Sequence, residues 1–413
     1  MLKVAFINTC DFSGGAATAA HRLYMNLAKN SNVETHYIVS DKALLTSDIV
    51  STHPTKWRKY FEKIIDKASN ALGLQYQWFP ISSRIILKEL RAFSPDIIHI
   101  HNTHGGYFAT PLFKKISKIA PVVWTLHDMW SLTNNAAYTD HFEWKSLGSH
   151  PSEKHEYPAI GIQLGNWLIR QKARIYAQSN MTLVTPSNWL RNLVLEAPVF
   201  QKKSVHHIPN GINLNIFYPK NKLHCREALD ISTQDTVIIF SADRLSNPRK
   251  GGTDLLFMLD KLEKISPGSI TVLLLGFTDR SFTNHNNIIF KSLGYIYDKS
   301  LLSICLSAAD VLVLPTHADN LPNVLIEAIA CGVPCVTYDV GGCAEIIEHN
   351  VNGYVIPKGD ISSLSEAVHT LLVQPDIQLA FSIKAREKAL AMFSVEKMSS
   401  HYMSLYQHIL REA

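Results

Sequence analysis

Short apolar runs alternate with longer amphipathic segments along nearly all 413 residues. That alternation confines the chain to an α/β fold with parallel sheets. In the first half the predicted strands are Val4–Asn8, Val33–Val39, Ile97–His101, Val122–His127 and Met181–Thr185. Helices are predicted near Ala16–Ala28, Ser82–Phe93, Phe108–Ile119, Gln163–Gln178 and Asn188–Glu196. A second series follows His207-Ile208-Pro209-Asn210-Gly211, with strands near Val237–Ala242, Thr271–Leu275, Val311–Leu314, Cys335–Tyr338 and Tyr354–Ile356. The Pro-Asn-Gly turn and Pro219-Lys220-Asn221 mark the junction. The length suits two domains better than one core, and the expected division is 1–208, 209–394 and a terminal helix over 395–413. In that helix Met398, Tyr402, Leu405, Tyr406 and Ile409 form an apolar stripe at helical spacing.

Bulk composition excludes several classes. An apolar content of 46% with 18% charged residues describes an ordinary globular protein. A net charge of +5 without a concentrated basic face argues against nucleic acid as a partner. Cys10, Cys225, Cys305, Cys331, Cys335 and Cys343 show no C-x-x-C spacing and read as reduced, packed thiols. The opening MLKVAFINTCDF has too short an apolar run for a signal peptide, and no run approaches a membrane span. A cytoplasmic location is expected.

The chemistry concentrates in Pro315 to Gly342, PTHADNLPNVLIEAIACGVPCVTYDVGG. It reads as strand, loop, helix, Gly-Pro stop, strand and paired glycines. Pro322 fits the first helical position, and Gly332 with Pro334 fits the stop. Asp319 in the loop and Glu327 in the helix then stand beside a helix N-terminus. Backbone N–H groups with carboxylates suit an anion joined to a polyhydroxylated group, such as a nucleotide sugar.

This stretch resembles the donor-site signature of family 4 of the retaining glycosyltransferases: an acidic residue, seven others, then Glu. Asp319 stands where many members have a first Glu. The run Asp319-Asn320-Leu321-Pro322-Asn323 resembles a bacterial branch that assembles capsule, exopolysaccharide or lipopolysaccharide glycans. The resemblance extends from Gly14 to the terminal helix. Gly14-Gly15-Ala16 is not the G-x-G-x-x-G fingerprint of dinucleotide sites. By itself it fits either a tight turn or a close ligand approach; it is similar to the family's first glycine loop, near the donor phosphates and acceptor. Thr125-Leu126-His127-Asp128 resembles the family's T-x-H-D motif. That implies that His127 hydrogen-bonds the transferred sugar and that Asp128 positions the acceptor hydroxyl. Arg244 and Lys250, in SADRLSNPRKGG, resemble the R-L-x…K-G motif that grips the diphosphate. Fixed cations there stabilise the charge that develops on the leaving phosphate. Arg249 is read as a solvated loop charge. The resemblance also implies that Glu327 takes the ribose hydroxyls. Asp319, with the N–H groups of Asn320 and Leu321, would face the donor sugar, and Gly294-Tyr295-Ile296 would hold the base.

The implied fold is GT-B: two Rossmann-like doubly wound domains facing a cleft, with the last helix crossing back to the first domain. The implied reaction moves a sugar, with retention, from a nucleotide diphosphate sugar to a hydroxyl of a glycan or polyprenyl-linked acceptor. Uridine is favoured over guanosine. No cofactor or metal is expected, because Arg244 and Lys250 take the place of a divalent ion. The rival readings are an epimerase or hydrolase of the same architecture, and a non-catalytic binding subunit. The branch's cysteine-rich loop is missing: residues 131–161 contain no cysteine, and His141, His150 and His155 match no zinc spacing. Lys56–Leu72 reads as a basic amphipathic helix with Trp57, Phe61, Ile64, Ile65 and Ala68 on one face. Packing on its own domain is favoured there over contact with the inner membrane surface.

Overall fold

The computed structural model describes every residue except 13, 45, 47, 140–154, 245, 267, 278–286 and 413. The chain divides into two compact units, Met1–Pro209 with Met398–Ala413, and Asn210–Lys397.

The first unit holds strands β1 (Leu2–Cys10), β2 (Val33–Asp41), β3 (Ile49–Ser51), β4 (Ile97–Ile100), β5 (Val122–Thr125), β6 (Met181–Thr185) and β7 (Val205–His207). They form one sheet in the order β3-β2-β1-β4-β5-β6-β7, parallel throughout. Its helices are α1 (Gly15–Leu27), α2 (Lys56–Ala71), α3 (Pro80–Phe93), α4 (Phe113–Ile116), α5 (Trp167–Ala177) and α6 (Asn188–Glu196). The second unit holds β8 (Thr236–Arg244), β9 (Ile270–Phe277), β10 (Ile288–Gly294), β11 (Val311–Leu314), β12 (Cys335–Tyr338) and β13 (Gly353–Ile356). Their order, β10-β9-β8-β11-β12-β13, repeats the plan of the first sheet. Its helices are α7 (Lys222–Ala228), α8 (Gly252–Ile265), α9 (Lys299–Ala308), α10 (Asn323–Ala330), α11 (Cys343–Ile346), α12 (Ile361–Val373) and α13 (Pro375–Met392). The last helix, α14, runs from Val395 to Glu412.

Both sheets are apolar on two faces, as a parallel sheet covered by helices must be. In the second unit Ile239, Leu273 and Leu312 pack into one core, while the adjacent Ile238, Val272 and Val311 pack into another. This two-residue alternation is the strand period written directly into the sequence. The strands that the sequence pattern omits, β3, β7 and β10, all lie at sheet edges. Partly solvated edges lack the continuous apolar run that marks an inner strand. The predicted helix over Phe108–Ile119 is instead a 3-10 turn, Thr110–Leu112, followed by the short α4. Pro111 explains the late start, since without an N–H it cannot bond back into a helix begun at Phe108, whereas it is tolerated in a first turn. The helix predicted from Gln163 starts only at Trp167, after Gly165 takes a left-handed φ of 54°.

The stripe on α14 docks within the first unit through polar contacts as well as apolar ones. Tyr402 Oη lies 2.8 Å from Thr125 Oγ1, which lies 2.8 Å from His99 Nε2. His99 Nδ1 in turn lies 2.7 Å from Tyr406 Oη. Burial holds the His99 pKa well below its ordinary value, so the ring is neutral in this chain of hydrogen bonds. All six cysteines are free thiols; burial pushes the Cys305 thiol up to about 12 and Cys331 up to about 11, which suppresses thiolate chemistry.

Candidate active site

In an open parallel sheet, ligands bind beyond the strand carboxyl ends where the strand order reverses. In the second unit that point lies between β8 and β11, and the loops after both strands carry the predicted residues. Lys250 Nζ donates to Asp319 Oδ2 at 2.5 Å. Arg249 Nη1 donates to the Ala318 carbonyl and lies 3.8 Å from Asp319 Oδ2. The Arg249 carbonyl accepts from His317 N at 2.8 Å and from Thr316 Oγ1 at 3.0 Å. Arg249 is therefore not the solvated charge expected from the sequence. It ties one loop to the other, because its main chain and its guanidinium both reach residues 316–319.

Glycines bring these loops together. Gly251 has φ of 75°, and a Cβ there would stand 1.8 Å from the Pro315 carbonyl oxygen. Gly341 has φ of 55°, and its Cβ would stand 1.6 Å from the Asp319 oxygen. Its neighbour Gly342 donates its N–H to the Asn320 carbonyl at 2.7 Å. The paired glycines are thus the floor of the acidic loop. Burial pushes the Asp319 carboxyl up, but Lys250 and Arg249 push it down harder, and the net shift is downward. Two cations around one ionised carboxylate leave a local positive excess.

The remaining predicted residues of the second unit divide. Arg244 ends β8 after a bulge; it is exposed, and its guanidinium has no partner among the described residues. Glu327 is buried in α10. That helix starts at Asn323 with Pro322 as its N-cap, so Pro322 stands one position outside the place predicted for it. Its ψ of 116° is extended, and it provides no side-chain cap. Asn320 is buried, and the Leu321 side chain joins the apolar core. Tyr295 is half-buried and stacks on Phe277, with ring centroids 5.2 Å apart. Sequence reasoning overlooked Asp254, which accepts from Tyr338 Oη at 2.8 Å and lies 3.2 Å from His317 Nε2. Nothing in its local sequence distinguishes it from an ordinary first-turn helix acid.

The first unit presents neutral imidazole rings and one ionised carboxylate, Asp128, instead. Gly14 precedes α1 with φ of 92° and ψ of 161°, a region only glycine occupies readily. A Cβ there would meet nothing within 4 Å, and Gly15 begins the helix, whose first turn carries neither an acid nor a side-chain cap. Beyond β5, His127 Nε2 lies 3.0 Å from His101 Nδ1. Burial pushes the His127 pKa down to about 4 and holds His101 well below its ordinary value. Both rings are neutral at pH 7, so one nitrogen of this contact donates and the other accepts. His101 Nε2 is buried without a partner. An orphaned N–H is costlier than an orphaned lone pair, so His101 carries its proton on Nδ1 and donates to His127. His127 then holds its own proton on Nδ1, the ring atom with no partner among the described residues.

Asp128 completes this cluster. Its Oδ2 lies 2.9 Å from His104 Nε2, and its Oδ1 accepts from Trp130 N at 2.9 Å. Burial pushes the carboxyl up, but His104 and the hydrogen bonds outweigh it and the pKa is lowered. Lys172, fully buried, donates to the carbonyls of Trp130, Thr133 and Asn134 at 2.6, 3.0 and 3.0 Å. It thereby closes the turn behind the histidines. His101 and His104 were absent from the sequence-derived set; for His101, which directly follows β4, the alternation in His99-Ile100-His101 was an available signal that it shares the face of His99. Among the described residues, no cluster of three or more His, Cys, Asp or Glu has metal-binding geometry. His141 and His150 lie outside the described residues.

Sequence models of known families match both halves. "Glycosyltransferase Family 4" matches residues 13–216 and "Glycosyl transferases group 1" matches residues 227–388. The chain belongs to the family 4 glycosyltransferases. This glycosyltransferase is 34% identical over 107 residues to an N-acetyl-alpha-D-glucosaminyl L-malate synthase of Bacillus anthracis, a match spanning 26% of the chain and 28% of that relative. It is 23% identical over 340 residues to an Escherichia coli K12 protein provisionally named a colanic acid biosynthesis glycosyl transferase, spanning 77% and 78% of the two chains. Sucrose-phosphate synthase from Thermosynechococcus elongatus superposes with a TM-score of 0.74 at 17% identity, over 100% of each chain. Anabaena HepE in complex with UDP-glucose gives 0.69 at 16% identity, over 99% of this chain and 100% of that one. At such identities the likeness carries the fold, which is GT-B: two Rossmann-like halves.

Proposed function

We propose that this glycosyltransferase moves a sugar, with retention, from a nucleotide diphosphate sugar to a hydroxyl of a glycan or lipid-linked glycan in surface polysaccharide synthesis. The observation that carries the reading is the positively charged loop pair of the second unit, in which Arg249 and Lys250 surround Asp319 at the reversal point of the sheet. Lys250 and the exposed Arg244 bind the diphosphate, Lys250 as a point charge and Arg244 through its fork. Glu327 takes the ribose hydroxyls, Tyr295 lies at the base, and Asp319 with the main chain of Asn320 and Leu321 faces the sugar. The names of the Escherichia coli and Anabaena relatives support a polysaccharide product and a UDP-linked donor.

In the transfer, the bond from the sugar's anomeric carbon to the phosphate oxygen breaks. The acceptor oxygen bonds to that carbon on the same face, and the acceptor proton passes to the departing phosphate. No side chain serves as essential base. His127, neutral at the working pH, donates from Nδ1 to a sugar hydroxyl, and Asp128 orients the acceptor. The cations stabilise charge on the leaving phosphate more than in the ground state, which is the role a divalent metal plays elsewhere. The test is melting temperature against UDP, GDP and ADP with a chelator present. A ligand bound only by the folded state raises it. One nucleotide that stabilises the protein without metal is the expected result; no shift with any of them overturns the reading.

A further inference from the structure

Helix α2 is built inside out. Its acids face the protein: Glu62 is fully buried and accepts from Ile81 N at 2.8 Å and Ser82 N at 2.9 Å, at the start of α3. Asp66 lies against Gly106, whose Cβ would stand 3.1 Å from the carboxyl. Its apolar side chains face outward, with Trp57 63% exposed, Phe61 45% and Ile64 50%. They follow the spacing of one helical stripe. The sequence reading favoured packing for this face, but Ile65 is the helix's one buried apolar residue. The acids on the inner side explain why: a helix turns toward the protein the face whose polar groups find partners there.

The neighbouring α3 repeats the arrangement. Its one acid, Glu89, pairs inward with His36 at 3.4 Å. Arg84, Lys88 and Arg91 line a groove of about 1230 Å³ together with Arg58, Trp57 and Trp78. Among the described residues, no carboxylate lines it. Lys56, Lys63 and Lys67 flank the stripe on the exposed side of α2. Exposed apolar side chains framed by cations match the boundary between acyl chains and anionic headgroups. A second copy of this chain would bring the same positive face and be repelled.

We infer that the outer faces of α2 and α3 form a docking surface for a bilayer containing anionic lipid. Trp57, Phe61 and Ile64 enter the interface, and the cations of the groove contact headgroups. This surface lies in the first unit and does not depend on the donor residues of the second. The experiment is flotation of the full chain with vesicles of phosphatidylglycerol and phosphatidylethanolamine, against vesicles of phosphatidylcholine alone. Binding to the anionic vesicles only, weakened by salt, is the expected result. The triple variant Trp57→Ser, Phe61→Ser, Ile64→Ser and the triple variant Arg84→Glu, Lys88→Glu, Arg91→Glu should each lose at least about tenfold in vesicle affinity. Both should keep the wild-type melting temperature and nucleotide response, which separates loss of docking from loss of fold or donor site. No flotation, equal flotation on both vesicles, or unaltered flotation of the variants overturns the inference. So does a wild-type dimer in light scattering that the apolar variant dissolves.

Discussion

Lys172 and Lys250 are the same residue held in opposite ways. Lys172, in the first unit, is fully buried, lies 3.5 Å over the Trp130 ring and spends its donors on three neutral carbonyls. Lys250, in the second, is half-buried and pairs with a carboxylate at a loop junction. The contrast holds for the surroundings as well. The first unit gathers neutral, buried histidines around His127, whereas the second gathers fixed charges on a backbone that only glycine permits. A cation locked among carbonyls is scaffold; one beside a carboxylate, with a net positive excess, can exchange partners with an anionic ligand.

Acid should separate the two regions most. His99, His101 and His127 have folded pKa values below the unfolded 6.5. Between the two values the unfolded chain binds more protons, so stability is full above pH 6.5 and falls as pH drops towards 4. For His127, whose folded value is about 4, the loss runs through that window at on the order of 1 kcal/mol per pH unit, and His99 and His101 add to it in the same direction. Asp319 has a lowered pKa, so its contribution persists until the pH falls below the usual carboxylate range. All seven tryptophans lie in the first unit's sequence, and their fluorescence in denaturant titrations should report the loss. Stability unchanged between pH 7 and 5 would break the neutral-histidine account.

Gly341→Ala should cost on the order of 4 kcal/mol, because the new Cβ collides with the Asp319 carbonyl at a positive φ. Gly14→Ala, which meets no atom, should cost only the backbone strain, about 1–3 kcal/mol. Thermal unfolding of the pair compares the two glycine loops directly, and equal losses would show that space is not the difference. Lys172→Met should cost about 3 kcal/mol through its orphaned carbonyls, with nucleotide binding intact in a titration at low temperature. Tyr406→Phe is the smallest effect, about 1 kcal/mol from a buried His99 nitrogen left without its partner.

Much of the fold was legible in the chain, because inner parallel strands must be continuously apolar and their helices amphipathic. The edges β3, β7 and β10 were not, since solvated strands carry no such signature. Asp319, Lys250 and His127 were visible through motif spacing. Arg249 was misread because its partners, Ala318 and Asp319, lie far off in sequence and come near only through loop packing. His101 and His104 were missed because a histidine's partner depends on which strands are neighbours, and the pairing that seats β4 beside β5, and so His101 and His104 beside His127 and Asp128, is not written locally. The outward stripe of α2 misled for a different reason: periodicity shows that a face exists, not which way it turns.

The most direct test of the charged-loop account is a calorimetric titration of UDP and GDP, in EDTA, into the wild-type chain and Lys250→Ala. The account predicts that one of these nucleotides binds the wild type without metal and that the variant loses at least about tenfold in affinity, the worth of one charge-assisted hydrogen bond. Equal affinity in the two proteins, or binding that appears only when a divalent metal is restored, would contradict it.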